Sequence, residues 1–171
     1  MTTAAGSLVS AELAAAAEAV RETCGLQLGL ALRPAPDDAG ATGAAGWCRS
    51  GIDLTAADGR WRLTLLADAQ SARRLTQRLF GLDPDEDPEP ADLADALKEL
   101  VNIAAGVFKR DRRDPRLHIA LPDFAEGGPA PAPLPPDAAS VRLAAGPLDP
   151  QVRVLLDWRG AAETGGERRE P

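Results

Sequence analysis

The stretch DALKELVNIAAGVFK, residues 95–109, is the part of the sequence that most constrains the fold. At about 100° per residue, the apolar side chains of the segment 92–109 fall on one side of a helix, which predicts that this side packs on a sheet. A second stripe, about 80° wide on the same geometry, carries polar residues and a glycine. The apolar side comprises Leu93, Leu97, Leu100, Val101, Ala104 and Phe108, and this polar stripe comprises Asp92, Asp95, Glu99, Asn102 and Gly106.

Two members of the polar stripe, Glu99 and Asn102, are three positions apart, so their side chains point the same way. Asn102 is the only asparagine in the chain. It lies in the middle of the helix, where asparagine costs about 0.6 kcal/mol relative to alanine. Periodicity alone favours a solvated polar face here over a functional pair.

The segments around this helix, which is predicted over 91–110, follow the order α, three strands, two helices, three strands. Ser10 and Asp68 are predicted to cap the first two helices, and Asp58-Gly59 suits a tight hairpin turn. The hairpin connections predict an α+β fold in which a mixed, largely antiparallel sheet is covered by helices. The other helices are predicted over 10–24 and 68–80, and the strands over 26–32, 47–54, 60–67, 117–121, 140–145 and 151–158.

Composition excludes several classes of function. The chain has 171 residues, with 19 basic and 26 acidic side chains and a net charge of −7. This balance disfavours binding to nucleic acids and to anionic membranes. Neither a leader segment nor a stretch that could span a membrane is evident, and two cysteines without metal-ligand spacing indicate a reducing compartment. We therefore expect an unexported, cytoplasmic protein.

The supply of catalytic side chains is small. His118 is the only histidine, and the chain has no tyrosine. The usual general-base and nucleophile-base arrangements are therefore nearly unavailable. We expect His118 to be partly buried and structural, and Cys24 and Cys48 to be small core residues.

Residues 95–109 resemble the signature helix of the CheC/CheX/FliY chemotaxis phosphatases, in which the pattern is D-x-x-G-E-L-x-N-x-x-x-G. The resemblance is closest to CheX. The preceding hairpin, a helix ending LTQRLFG, an acidic connector and P-x-x-x-x-G at 122–127 also fall in the order and spacing of CheX-like domains. The resemblance implies a CheX-like phosphatase domain over 8–158, and the polar residues 159–171 are predicted to be a disordered tail.

The resemblance also implies an activity, the dephosphorylation of the aspartyl phosphate of a CheY-type response regulator. The regulator would supply Mg²⁺ and most of the active site, so no cofactor of the chain's own is expected. By this resemblance Asn102 would orient the attacking water and Glu99 would pair with the active-site lysine of the regulator. An amide cannot act as a general base, but phosphoryl transfer can be accelerated by positioning alone. The other partner-binding residues would be Asp95, Lys98 and Gly106.

The sequence departs from the family pattern at two points. Lys98 replaces the glycine that usually precedes the glutamate, and its ammonium could pair with Asp95 or Glu99 or reach an acidic rim on the partner. The first helix lacks the second E-x-x-N of CheC-like members, which implies one site per chain. Lys98 favours an alternative function, a non-catalytic module that binds a response regulator or a flagellar switch component, whereas the retained Glu99 and Asn102 favour the phosphatase.

A homodimer is expected on two grounds. CheX-like domains associate through their sheets, and the last strand offers apolar side chains on what the pattern suggests is an exposed strand. Those side chains are Val152, Val154, Leu156 and Trp158.

Overall fold

The computed structural model describes residues 4–36, 46–128, 138–146 and 150–159. Of the tail predicted over 159–171, only Arg159 is described, and its backbone N–H donates to the Arg60 carbonyl at 2.8 Å. The described chain forms three helices and seven strands. The helices are α1 (Ala4–Leu28), α2 (Ala69–Phe80) and α3 (Pro90–Arg112). The strands are β1 (Arg33–Ala35), β2 (Trp47–Ala56), β3 (Gly59–Asp68), β4 (His118–Ile119), β5 (Asp123–Gly128), β6 (Ala138–Ala144) and β7 (Gln151–Trp158).

The strands form one sheet in the order β1-β6-β7-β3-β2-β4, with β5 also pairing with β2. Every strand pair in the described chain is antiparallel, so the sheet is not mixed. Helix α1 packs on β6 and β7, and α3 packs on β2, β3 and β5. The predicted α+β fold, a largely antiparallel sheet covered by helices, is confirmed.

The apolar side of α3 forms much of the core between helices and sheet. Leu97, Leu100, Val101, Ala104 and Phe108 are each at most 1% exposed, as their spacing predicts, and Leu93 packs against them while partly buried. They meet inward side chains of the central strands, among them Ile52, Leu63 and Leu65. Burying one such large apolar side chain stabilises the fold by about 1.5–3 kcal/mol. The core therefore fixes both the position and the rotation of α3.

The strand predicted over 26–32 is wrong. Leu26 and Leu28 belong to the last turn of α1, which ends at Gly29 in a left-handed conformation with a φ of 65°. Leu30 is buried in the connection that follows, whereas Leu26 is 73% exposed. The alternation of leucines therefore spans a helix end and a loop. The actual strand, β1, contains Pro34, which is tolerated because β1 lies at the edge of the sheet.

Strand β5 was not predicted from the sequence, and long-range contacts anchor it. The Ser50 hydroxyl donates to the Asp123 carbonyl at 2.8 Å, and the Arg62 guanidinium bridges from β3 across Gly51 to the Asp123 carboxylate. A Cβ on Gly51 would collide with that guanidinium. Glycine at position 51 therefore leaves the space that the Arg62 guanidinium occupies as it crosses β2.

The apolar surface on which the dimer was predicted is part of the core. Val152, Val154 and Leu156 are each at most 2% exposed, because α1 covers β7. Strand β7 also lies inside the sheet, between β6 and β3, rather than at an edge. The side chain of Trp158 is not among the parts of the chain that the structure describes. The dimer stays a prediction, but these strand residues do not support it.

Arg112 ties three elements together at the end of α3. Its guanidinium pairs with Glu12 of α1 and, at 2.6 Å, with Asp58 in the β2–β3 turn, and it lies 4.4 Å from the ring centroid of Trp61. Both Arg112 and Glu12 are largely buried, with side chains 16% and 17% exposed. The ion pairs are therefore less screened by water than ordinary surface pairs.

We expect Arg112→Ala to lower the free energy of unfolding by about 2–3 kcal/mol, because it removes two charge-assisted bonds and a cation–π contact and leaves Glu12 without its partner. Chemical denaturation measures the change. Arg116→Ala is the control, because Arg116 is exposed and its side chain has no ion pair in the described chain. Equal losses for the two variants would contradict the role of Arg112.

Candidate functional site

Helix α3 presents the polar stripe on the side opposite the core. Pro90 occupies its first turn, and the Glu89 backbone N–H donates to the Asp92 carboxylate at 3.0 Å, which caps the helix. The helix ends at Arg113, which takes a left-handed conformation with a φ of 54°. Seven buried residues pack α3 against the core, so the polar stripe lies on a rigid element.

The structure places the five residues of the polar stripe on one face. Four of them, Asp95, Glu99, Asn102 and Gly106, are exposed, while the capping residue Asp92 is half-buried. The rise of about 1.5 Å per residue separates Glu99 and Asn102 by about one helical turn. A partner that contacts this face therefore reaches both side chains together.

The hydrogen-bonding state differs along the polar stripe. Asp92 is engaged by the helix cap, and Asp95 pairs with the ammonium of Lys98 at 2.8 Å. The side chains of Glu99 and Asn102 form neither a hydrogen bond nor an ion pair with any described group. Their carboxylate and amide are therefore free to bind groups of another molecule.

Of the intramolecular pairings open to Lys98, the one with Asp95 forms. An exposed i, i+3 pair of this kind contributes about 0.3–0.5 kcal/mol. It is too weak to hold Lys98 permanently, but it pairs the ammonium with Asp95 instead of Glu99. Lys98 therefore does not neutralise the one carboxylate of the stripe that is unpaired.

Gly106 has no structural reason to be glycine. A Cβ at this position would have no heavy atom within 4 Å, and the residue is exposed in the middle of α3 with helical backbone geometry. Glycine at such a position costs about 1 kcal/mol relative to alanine. The packing around this position therefore does not require glycine.

The carboxylates of α1 form ion pairs within the protein itself. Glu12 pairs with Arg112, Glu18 pairs with Arg21, and Glu22 accepts two bonds from Arg110 at 2.7 and 2.8 Å. The hydrogen bonds from Arg110 lower the pKa of Glu22, so its contribution to stability is present at neutral pH and is lost as the pH falls through that lowered value. In the described chain α1 thus carries no second free carboxylate–amide pair.

The acidic connector between α2 and α3 is more ordered than its composition suggests. The buried amide of Gln77 donates to the carbonyls of Pro84 and Glu86 at 3.0 and 2.7 Å, and Arg73 pairs with Asp87 at 2.9 Å. An acidic, proline-bearing composition predicts only a solvated connector, and the side chains here are largely exposed. The sequence feature that could have predicted these contacts is Gln77, a polar residue on the buried side of α2.

The cysteines and the histidine do not form a competing site in the described chain. Burial raises the pKa of the Cys24 thiol to about 12 and that of Cys48 to about 11, so both stay protonated at neutral pH. His118 is exposed in β4, opposite Thr55, and not partly buried as predicted, because β4 lies at the sheet edge. Across the described ranges, no three His, Cys, Asp or Glu side chains are grouped so that they could hold a metal ion.

None of the helices in the described parts of the chain combines the length and apolar character that crossing a membrane requires.

Several solved structures share this fold, and three of them are compared with the chain here. The chemotaxis protein CheX from Vibrio vulnificus is 15% identical with a TM-score of 0.69, and the match covers 86% of this chain and 95% of that one. The matching chain of a CheX–CheY–BeF₃–Mg²⁺ complex from Borrelia burgdorferi is 16% identical with a TM-score of 0.62, and the match covers 85% of this chain and 96% of that one. FliY from Thermotoga maritima is 11% identical with a TM-score of 0.62, covering 93% and 92%. These similarities establish the fold.

At the sequence level, no curated protein matches the chain significantly. The family model described as chemotaxis phosphatase CheX matches residues 52–144, more than half of the chain and all of α3. The match therefore includes every residue of the polar stripe. The chain belongs to the CheX family of chemotaxis phosphatases.

Proposed function

We propose that this protein hydrolyses the aspartyl phosphate of a CheY-type response regulator by inserting α3 into the regulator's active site. The observation that carries the proposal is the exposed pair Glu99 and Asn102, which lacks partners within the described chain and lies on a helix fixed by the core. A relative by fold was solved in complex with CheY, BeF₃ and Mg²⁺, which supports a regulator as the partner.

In the proposed reaction the oxygen of a water attacks phosphorus, and the bond from phosphorus to the regulator's aspartate oxygen breaks. The products are inorganic phosphate and a free aspartate carboxylate. The Asn102 amide oxygen would accept a hydrogen bond from the water, while the amide N–H₂ can donate to a phosphoryl oxygen. Mg²⁺ held by the regulator would neutralise charge on the phosphoryl group. Asn102 thus contributes by orientation, not by proton transfer.

Glu99 has a different role in this proposal. Its carboxylate would form a charge-assisted hydrogen bond with the active-site lysine of the regulator. Because Glu99 has no described partner inside its own chain, no internal bond must break when this contact forms. Glu99 therefore sets the register of α3 on the regulator, and with it the position of the Asn102 amide.

The test is to add the purified protein to a CheY-type regulator from the same organism that has been phosphorylated with acetyl phosphate in the presence of Mg²⁺. A shortened lifetime of the regulator phosphate is the expected result. The double variant Glu99→Ala/Asn102→Ala is the matched control. An unchanged phosphate lifetime together with measurable binding would instead support the second candidate function, a non-catalytic module, which Lys98 beside the stripe favours.

Gly106→Ala provides a separate prediction about docking. We expect the substitution to raise the free energy of unfolding by about 1 kcal/mol, because it improves helix propensity and the added methyl meets open space. We expect the same substitution to weaken binding to the phosphorylated regulator severalfold, because the methyl blocks close approach. Thermal unfolding and a binding titration measure the two effects, and a more stable variant with undiminished binding would remove Gly106 from the interface.

We further propose that the protein acts in the cytoplasm as a homodimer with one site on each protomer. Because β7 is covered by α1, this proposal rests on the resemblance to CheX-like domains, which associate through their sheets. Light scattering at micromolar concentration tests it, and a monomer would remove the dimer while leaving the proposed chemistry unaffected.

A further inference from the structure

The chain has few lysines, and they lie on the same element. Among the 19 basic residues only Lys98 and Lys109 are lysines, and all the others are arginines. Both lysines lie on α3. They are 11 residues apart, or about three helical turns, so they lie within about 20° of each other around the helix and about 16 Å apart along it. Asn102 lies between them and within about 40° of each.

Three arginines differ from the two lysines in what they contact. Arg62 joins β3 to β5, Arg110 joins α3 to α1, and Arg112 joins α3 to α1 and to the β2–β3 turn. Neither lysine makes such a connection. Lys98 pairs only with Asp95 on its own helix, and Lys109 has no ion pair within the described chain. The planar fork of arginine suits fixed internal bridges, whereas lysine carries a compact charge on a flexible stem.

The charges around the two lysines indicate a role for them in association with the partner. The polar stripe carries three carboxylates, and the whole chain has a net charge of −7. The proposed target, a phosphoryl group on an aspartate, is also anionic. Without local positive charge the two surfaces would repel each other during approach. Two ammonium groups on the same face as Asn102 would offset that repulsion where the surfaces meet.

We propose that Lys98 and Lys109 are the steering and specificity contacts of the docking helix, binding acidic groups on the rim of the regulator's phosphorylation site on either side of Asn102. This inference rests on the proposed function and adds to it the chemistry of the recognised rim. The exposed pair with Asp95 exchanges readily, so it holds the Lys98 ammonium near the stripe without withholding it from a partner.

The test measures the association rate of the full-length protein with a regulator loaded with Mg²⁺ and beryllium fluoride, a stable mimic of the phosphorylated state, by stopped-flow fluorescence at several salt concentrations. We expect Lys98→Gln and Lys109→Gln each to slow association severalfold at low salt. The double variant should slow it about tenfold and flatten its salt dependence. Glutamine is as good a helix former as lysine, so the fold should persist.

Two controls isolate the lysine charges. Arg60→Gln removes an exposed cation from β3, remote in sequence from α3, and should leave the association rate and its salt dependence unchanged. Lys98→Arg/Lys109→Arg keeps both charges and should restore most of the rate. Folding of every variant is checked by circular dichroism.

The outcomes separate this inference from the function on which it rests. If the double glutamine variant associates as fast as the wild type at every salt concentration, or if Arg60→Gln has the same effect as the double variant, the inference is overturned and the phosphatase proposal stands. If the wild type binds with steep salt dependence that the lysine variants lose, but phosphate lifetime is unchanged, the steering role stands and the chemistry fails. No binding by the wild type overturns both.

Discussion

Asn102→Ala is expected to abolish the dephosphorylating activity and leave the protein folded. The Asn102 side chain is exposed and has no partner in the described chain, so its removal costs no internal contact. Alanine also has the higher helix propensity, and the free energy of unfolding should rise by about 0.6 kcal/mol. Loss of the group that orients the water should lower the rate of hydrolysis in the bound complex by about 100-fold or more.

The measurement combines single-turnover loss of regulator phosphate at saturating protein with chemical denaturation. Gln70→Ala is the matched control, because it removes an exposed amide from α2 instead of α3. Asn102→Gln retains the amide but extends it by one methylene, and we expect it to remain far below wild-type activity, because the amide is displaced. An Asn102→Ala variant that is folded and fully active would exclude the assigned role, and one that unfolds would make Asn102 a structural residue.

Glu99→Ala should act mainly on binding. The residue lies on the polar stripe without a described internal partner, so the substitution removes nothing from the protein's own core. It does remove the carboxylate proposed to bond the regulator's lysine. We expect the Kd for the regulator loaded with beryllium fluoride to rise at least tenfold, or about 1.4 kcal/mol.

A titration of the same regulator against several variants distinguishes the two roles. Asn102→Ala should bind with nearly wild-type affinity, in contrast to Glu99→Ala. Glu86→Ala, which removes an exposed carboxylate from the acidic connector, controls for a general loss of negative charge. Equal affinities for the Glu99 and Asn102 variants would contradict the division of labour, even if both variants were inactive.

Local sequence signals were sufficient to predict the features that depend only on the periodicity of a single helix or strand. The side of α3 that is buried, from Leu97 to Phe108, and the exposed side that carries Glu99 and Asn102 both follow from 3.6 residues per turn. The α+β class follows from similar local patterns and from hairpin turns, although these patterns misplaced the first strand and did not predict β5. The candidate pair itself emerged because asparagine in mid-helix is unfavourable and because the surrounding residues resemble a family.

Tertiary structure decided everything that depends on which segments meet. Alternating leucines at 26–32 suit a strand, but Gly29 ends a helix among them, and burial of Leu30 and Leu32 depends on the core they enter. The strand that bears Val154 looks exposed in sequence, and only the packing of α1 covers it. The anchoring of β5 by Arg62 and the hydrogen bonds from Gln77 to the connector likewise join groups that periodicity does not relate. A periodic pattern records how a residue is oriented within its own element, whereas burial and pairing are set by the neighbour that packs against it, and that neighbour is chosen by the fold as a whole.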